Sequence, residues 1–325
     1  MKTMKTVKTM KTVKRNLFFS AGVAACALFA AGCSNDENMP GGNDNDGRVA
    51  LQVSSGIQTR AVDDQWEDGD AIGIFALMPG TTDVATDNTS GLEQRNRQYS
   101  TRKNALGTFS PTPEAATIYL PVDGTTRDFI AYYPYLPDMA GSTYKIDLTE
   151  QNPQRAIDFM TSEKMQDINK ARPAVQFRFQ HKLSKVRLNI STGEGFKGDN
   201  SELEGMEVIL TGQQATADFD VLTDHNVSIV RGSEEIVLLT EAGGRTSEGI
   251  VMPSNDYDGM QFEFRVKGHA QPYVWALNKS ERAIKFEPGK EYIYNITIHR
   301  TFIDVTAIIE DWLPGNEGGE NGDAD

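Results

Sequence analysis

The feature that most constrains this chain is an apolar–polar alternation of period two that recurs along most of its length. Val49, Leu51 and Val53 alternate with polar or small neighbours, as do Val175, Phe177 and Phe179, then Val186, Leu188 and Ile190. Phe262, Phe264 and Val266 repeat the pattern against Gln261, Glu263 and Arg265. Tyr292, Tyr294, Ile296 and Ile298 form a further face, followed by Ile303, Val305, Ala307 and Ile309. That period places one set of side chains on one face of a pleated strand. Shorter candidates are Ala71–Leu77, Thr117–Val122, Phe129–Tyr133, Tyr144–Leu148, Met206–Thr211, Ile236–Leu239 and Tyr273–Leu277; a weak helical pattern runs from Arg155 to Lys170. Many short strands separated by Gly, Pro, Asn and Asp predict an all-β protein of antiparallel β-sandwiches, because a parallel sheet needs a helix in nearly every crossover.

The first residues read as export machinery. Lys2, Lys5, Lys8, Lys11, Lys14 and Arg15 precede an apolar run from Leu17 to Ala31, the pattern of a secretory signal and shorter than the roughly 20 residues that span a bilayer. The run ends Ala30-Ala31-Gly32-Cys33, which resembles a lipobox, so Cys33 is expected to be acylated after cleavage before it; the alternative is an ordinary signal peptide with a stray cysteine. The acidic stretch Ser34 to Asn38 resembles the signal that sends lipoproteins to the outer face of the outer membrane. Cys26 lies in the leader, so no disulfide is expected in the mature domains. From Ser34 to Gly47 the composition is that of a flexible tether.

Charge and motif content exclude several functions. The chain carries −14, and losing a leader with six basic and no acidic residues takes it to −20. Binding nucleic acid through phosphates needs a basic footprint, so no nucleic-acid partner is expected. His181, His225, His269 and His299 are scattered, without the spacing that puts two ligands on one helix face. Asp63, Asp64, Asp68 and Asp70 do not match the EF-hand spacing. Neither a metal nor a cofactor is expected. There is no Gly-x-Ser-x-Gly elbow and no phosphate-cradling glycine loop, and a carboxylate pair for glycoside hydrolysis is set by distance in space, which spacing in the chain does not reveal. The expectation is that the protein is not an enzyme. Trp66, Trp275, Trp312, Tyr132, Tyr133 and Tyr135 offer a sugar-stacking platform on one reading and core aromatics on the other.

Five stretches, in order, carry a resemblance: Trp66 to Phe75, Asp128 to Pro134, Phe179 to Val186, Phe286 to Tyr292, and Ile309 to Trp312. They resemble the fimbrillin family of Bacteroides-type surface lipoproteins, whose members build or decorate pili by strand exchange. The resemblance implies two transthyretin-like antiparallel β-sandwich domains in tandem. The division expected is a lipoprotein signal peptide over 1–32, a tether over 33–47, an N-terminal β-sandwich over 48–180, a C-terminal β-sandwich over 181–313 and an acidic disordered tail over 314–325.

In physical terms the resemblance implies that the first strand, with Val49, Leu51 and Val53, is a placeholder removed when an extracellular arginine-specific protease cuts between Arg60 and Ala61. Arg95, Arg97 and Arg102 are rival sites. The vacated groove would accept a strand from another pilin subunit. The candidate donor is Phe302 to Glu310, with Ile303, Val305, Ala307 and Ile309 as its apolar knobs; equally, this segment is the last strand of its own domain. The resemblance implies a pilus subunit, whether stalk, tip or accessory, in a fimbrium and anchored to the outer membrane by lipid. The alternatives are a monomeric surface lipoprotein that binds glycan or host protein without polymerising, and an anchored hydrolase.

Overall fold

The computed structural model describes residues 47–57, 66–223, 234–254, 259–277 and 286–311. Strands dominate, as the alternation predicts, and the helical elements among the described residues are three-residue 3-10 turns. The first half contains β1 (Val49–Ala50), β2 (Gln52–Ile57), β3 (Ala71–Leu77), β4 (Arg97–Ser100), β5 (Thr108–Pro111), β6 (Tyr119–Leu120), β7 (Arg127–Tyr133), β8 (Thr143–Asp147), β9 (Met160–Ser162), β10 (Met165–Ile168) and β11 (Ala174–His181). The segment Arg155 to Lys170, expected as a weak helix, is instead a short 3-10 turn followed by β9 and β10. Both strands lie along one edge of β7, Tyr133 opposite Met160 and Phe129 opposite Met165; pairing with an existing sheet overrides a weak local preference.

Seven strands close on themselves in the order β7-β3-β4-β5-β2-β11-β9 and back to β7. The first half is thus a closed sheet around its own core, where two separate open sheets were expected. Inside lie Leu51, Val53, Ile72, Ile74, Phe109, Phe129, Phe177 and Phe179, all buried. Closure removes the free edges that invite aggregation.

The second half contains β12 (Ser184–Thr192), β13 (Glu207–Thr211), β14 (Thr216–Asp220), β15 (Ile236–Val237), β16 (Leu239–Thr240), β17 (Thr246–Val251), β18 (Gln261–Arg265), β19 (Tyr273–Ala276), β20 (Lys290–Ile298) and β21 (Ile303–Asp311). They form a five-stranded sheet, β16-β17-β12-β20-β21, and a four-stranded sheet, β15-β13-β18-β19. Val186, Leu188, Tyr294 and Ile296 from the first share a buried cluster with Val208, Leu210, Phe262 and Phe264 from the second.

Two strand pairs correct the antiparallel expectation: β2 runs parallel to β11, and β12 parallel to β20. Each parallel connection is made by intervening strands instead of the helical crossover expected for parallel pairs. The halves also share packing. Along β3 and β7, Ile72, Ile74 and Ala131 face the barrel while Phe75, Leu77, Ile130 and Tyr132 join the second half's cluster. β8 pairs with β14, Tyr144 opposite Phe219.

Candidate functional site: the groove filled by the first strand

β2 is the first long strand among the described residues, yet it occupies a central place in the closed sheet. On one side it runs parallel to β11, with Val53 beside Val175 and Ser55 beside Phe177; on the other it meets β5, with Val53 opposite Phe109. Leu51 and Val53 are buried, whereas Val49, in β1, is half-buried and pairs with Leu120 of β6. Backbone bonds fasten both edges: Leu51 N–H donates to the Ile118 carbonyl at 2.9 Å, Gln52 N–H to Pro173 at 2.9 Å, and Ser55 N–H to Gly107 at 2.8 Å. The Ser54 hydroxyl donates to the Val175 carbonyl at 3.2 Å.

The floor of the groove is aromatic. Trp66 packs edge-on against Phe109, Tyr133 and Phe179, with ring centroids 5.0, 5.3 and 5.5 Å apart. Tyr99 lies fully buried, its hydroxyl accepting the Ile118 N–H at 2.9 Å, and burial pushes its pKa up to about 12. Asp70 accepts from the Glu67 N–H at 2.7 Å and from the Tyr133 hydroxyl at 3.2 Å. Burial raises the Asp70 carboxyl above its ordinary range, the Tyr133 hydrogen bond partly opposing it. Arg155 pairs with Glu67 on the same loop. This cluster fixes the segment from Trp66 to Asp70 against the barrel.

The predicted residues fall in different places. Cys33, Arg60 and Ala61 lie outside the described residues, as do Asp63, Asp64, His225 and Trp312. Arg95 and Arg97 are held by Glu93, through a side-chain pair at 2.6 Å and a bond to its carbonyl at 2.9 Å. β21 is the edge strand of the five-stranded sheet, paired with β20 over its whole length. Ile303 and Val305 are half-buried against the core, while Ala307 and Ile309 are exposed. The segment is therefore the last strand of its own sheet in the single chain, and its far end turns apolar side chains to solvent.

The sugar-platform aromatics are largely core: Trp66, Trp275, Tyr132 and Tyr133 are buried, and Tyr135 packs partly buried against the cluster that holds Tyr132 and Trp275. His181 is buried with Nδ1 2.7 Å from Asp158; His269 bonds the Tyr273 hydroxyl at 3.1 Å; His299 accepts the Glu194 N–H at 2.9 Å. Among the described residues no three His, Cys, Asp or Glu side chains are grouped to hold a metal ion. Sequence reasoning missed the groove's other wall. β4 and β5 are four residues each, and Tyr99 and Phe109 carry their only large apolar side chains, too few to register as alternation.

Fold and groove together define an all-β protein whose most distinctive site is a place for a strand. A fimbrillin-like family model matches residues 59–312. The chain is 40% identical over 310 residues to "Putative fimbrium subunit Fim1C" of Bacteroides uniformis, covering 92% of this chain and 98% of that protein. Among solved structures, one described as a putative cell adhesion protein from Bacteroides uniformis shares 38% identity with a TM-score of 0.70, covering 82% of this chain and 99% of that one. A second, so described from Bacteroides ovatus, shares the fold with a TM-score of 0.62 at 20% identity, covering 83% and 99%. The chain belongs to the fimbrillin-like family.

Proposed function

We propose that this chain is a surface-displayed subunit of a fimbria, tethered through lipid on Cys33 to the outer membrane and assembling by strand exchange once a protease cuts between Arg60 and Ala61. The observation that carries the reading is the position of β2. A strand at the start of the chain sits between two neighbours in a closed sheet, so losing it opens a groove with two unpaired edges and an apolar floor. Such a groove binds a strand through main-chain bonds and alternate side chains together.

Leu51 and Val53 each contribute about 1.5–3 kcal/mol when fully buried. An extracellular arginine-specific protease and other pilin subunits are the partners this requires. The relative named as a fimbrium subunit and the adhesion-protein structure support placement in a fimbrium at the cell surface. The role is one of assembly and adhesion, not catalysis. Tandem transthyretin-like domains over 48–180 and 181–313 remain our description of the family architecture, with the first closed into a barrel in this chain.

β21, with Ile303, Val305, Ala307 and Ile309, is the strand we propose as donor; it must first leave β20. The test is limited digestion, with an arginine-specific protease, of protein expressed from Ser34 onward. A single cut after Arg60, followed by ladder formation or uptake of a synthetic Phe302–Glu310 peptide, is the expected result. A cut core that stays monomeric and ignores the peptide would leave a monomeric binding lipoprotein as the better account.

A further inference from the structure

Over residues 51–55, the side chains turned into the barrel are those of Leu51, Val53 and Ser55, and only the serine is polar. Register fixes its direction: Ser55 stands beside Phe177, as Val53 stands beside Val175, and both β11 partners are buried. The Ser55 hydroxyl oxygen is buried and makes no hydrogen bond; nor does the buried indole Nε1 of Trp66, a residue only 6% exposed. Both residues border Gly107. A Cβ built there would lie 3.0 Å from the Ser55 carbonyl oxygen and 3.8 Å from Trp66 Cδ1. The hydroxyl is thus stripped of water beside the strand position of Phe177 and has no partner in return, a loss that a small apolar side chain avoids.

We infer that the Ser55 position is a specificity pocket of the groove, which selects a strand bearing a small aliphatic side chain there and marks the resident strand as the weaker occupant. The occupant it fits is the Phe302–Glu310 strand of a second copy of this chain. That strand carries Ile303, Val305, Ala307 and Ile309, an apolar residue at every alternate place, where the resident strand offers Leu51, Val53 and then serine. The exchange half of this inference rests on the strand-exchange function proposed above; the packing half does not.

Two measurements separate them. In the uncut protein expressed from Ser34 onward, Ser55→Ala removes only the hydroxyl, and its melting temperature is expected to equal or exceed that of the parent. A melting temperature lowered by several degrees would mean the hydroxyl has a partner, and the pocket would be withdrawn. After the arginine-specific cut, labelled peptides covering Arg48–Ile57, with serine or alanine at position 55, compete for the core in fluorescence anisotropy. The alanine peptide is expected to bind about fivefold more tightly. Equal or weaker binding overturns the specificity. If neither peptide enters the core, strand exchange itself fails, and the melt of Ser55→Ala alone decides whether the hydroxyl is misplaced.

Discussion

At the scale of single residues, the groove is held by a few buried polar atoms whose partners are countable. Tyr99 offers its hydroxyl to the Ile118 N–H, and the Ile118 carbonyl accepts from Leu51, so one aromatic side chain backs the strand's first fastening. Tyr99→Phe leaves the Ile118 N–H unsatisfied and is expected to cost about 1–3 kcal/mol, measured by urea unfolding of the uncut protein. Asp70 gives a pH signature. Its folded pKa is raised by burial, so the folded state holds that proton more firmly than the unfolded chain does. The stabilising contribution is present at low pH and is lost as pH rises from the ordinary carboxylate range through the raised value. Asp70→Asn is expected to flatten that part of the stability profile; an unchanged slope in urea midpoints between pH 4 and 7 would rule Asp70 out as its source. Close approach also dictates residue type. A Cβ on Gly73 would fall 2.1 Å from the Tyr132 ring, so any side chain there must displace a buried tyrosine.

At the scale of elements, the second half's five-stranded sheet has unlike edges. Beyond the two residues of β16, β17 would present unpaired backbone, and two buried glutamines close it. Gln151 accepts the Ile250 N–H at 2.8 Å and donates to the Ile250 carbonyl at 3.0 Å; Gln213 does the same to Met252, both at 3.0 Å. Each amide acts as a one-residue strand. Gln151→Ala or Gln213→Ala is expected to cost about 1–3 kcal/mol and to speed amide exchange at Ile250 or Met252, with β20 unaffected. The opposite edge, β21, has no such cover among the described residues and exposes Ile308 and Ile309. These elements also show what the alternation made legible. Long strands with three or more apolar residues on one face, such as β12 and β20, were readable because burial on one face imposes period two. β4, β5, β9 and β17 were not: they are short or carry serine, threonine and glycine, and they exist because longer neighbours offer them an edge. The parallel pairing of β2 with β11 was invisible for a different reason. Alternation says which face is buried, and says nothing of the partner or its direction. The first strand's apolar face was readable from Leu51 and Val53; the misfit at Ser55 needed the neighbours' positions.

At the scale of the whole molecule, the two halves are unequal in their dependence on the first strand. β2 contributes to the barrel core alone, and Leu51 and Val53 together account for about 3–6 kcal/mol of burial, set against a net stability of about 5–15 kcal/mol for an ordinary domain. The second half loses none of these contacts. β3 and β7 stand between: one face forms the barrel wall, and the other, with Phe75, Leu77, Ile130 and Tyr132, belongs to the second half's core. A chain that begins at Ala61 is therefore expected to stay folded from β12 to β21, to keep β3 and β7 protected through their outward face, and to lose protection in β5 and β11, whose edges β2 had covered. Hydrogen exchange read by mass spectrometry gives the answer segment by segment. Protection lost only in β5 and β11, and restored by an added strand peptide, describes a core that is preserved and open on one side, as assembly by exchange requires. Loss throughout 66–181 would mean that the barrel cannot outlive its first strand, and any exchange would have to deliver the new strand before the old one leaves.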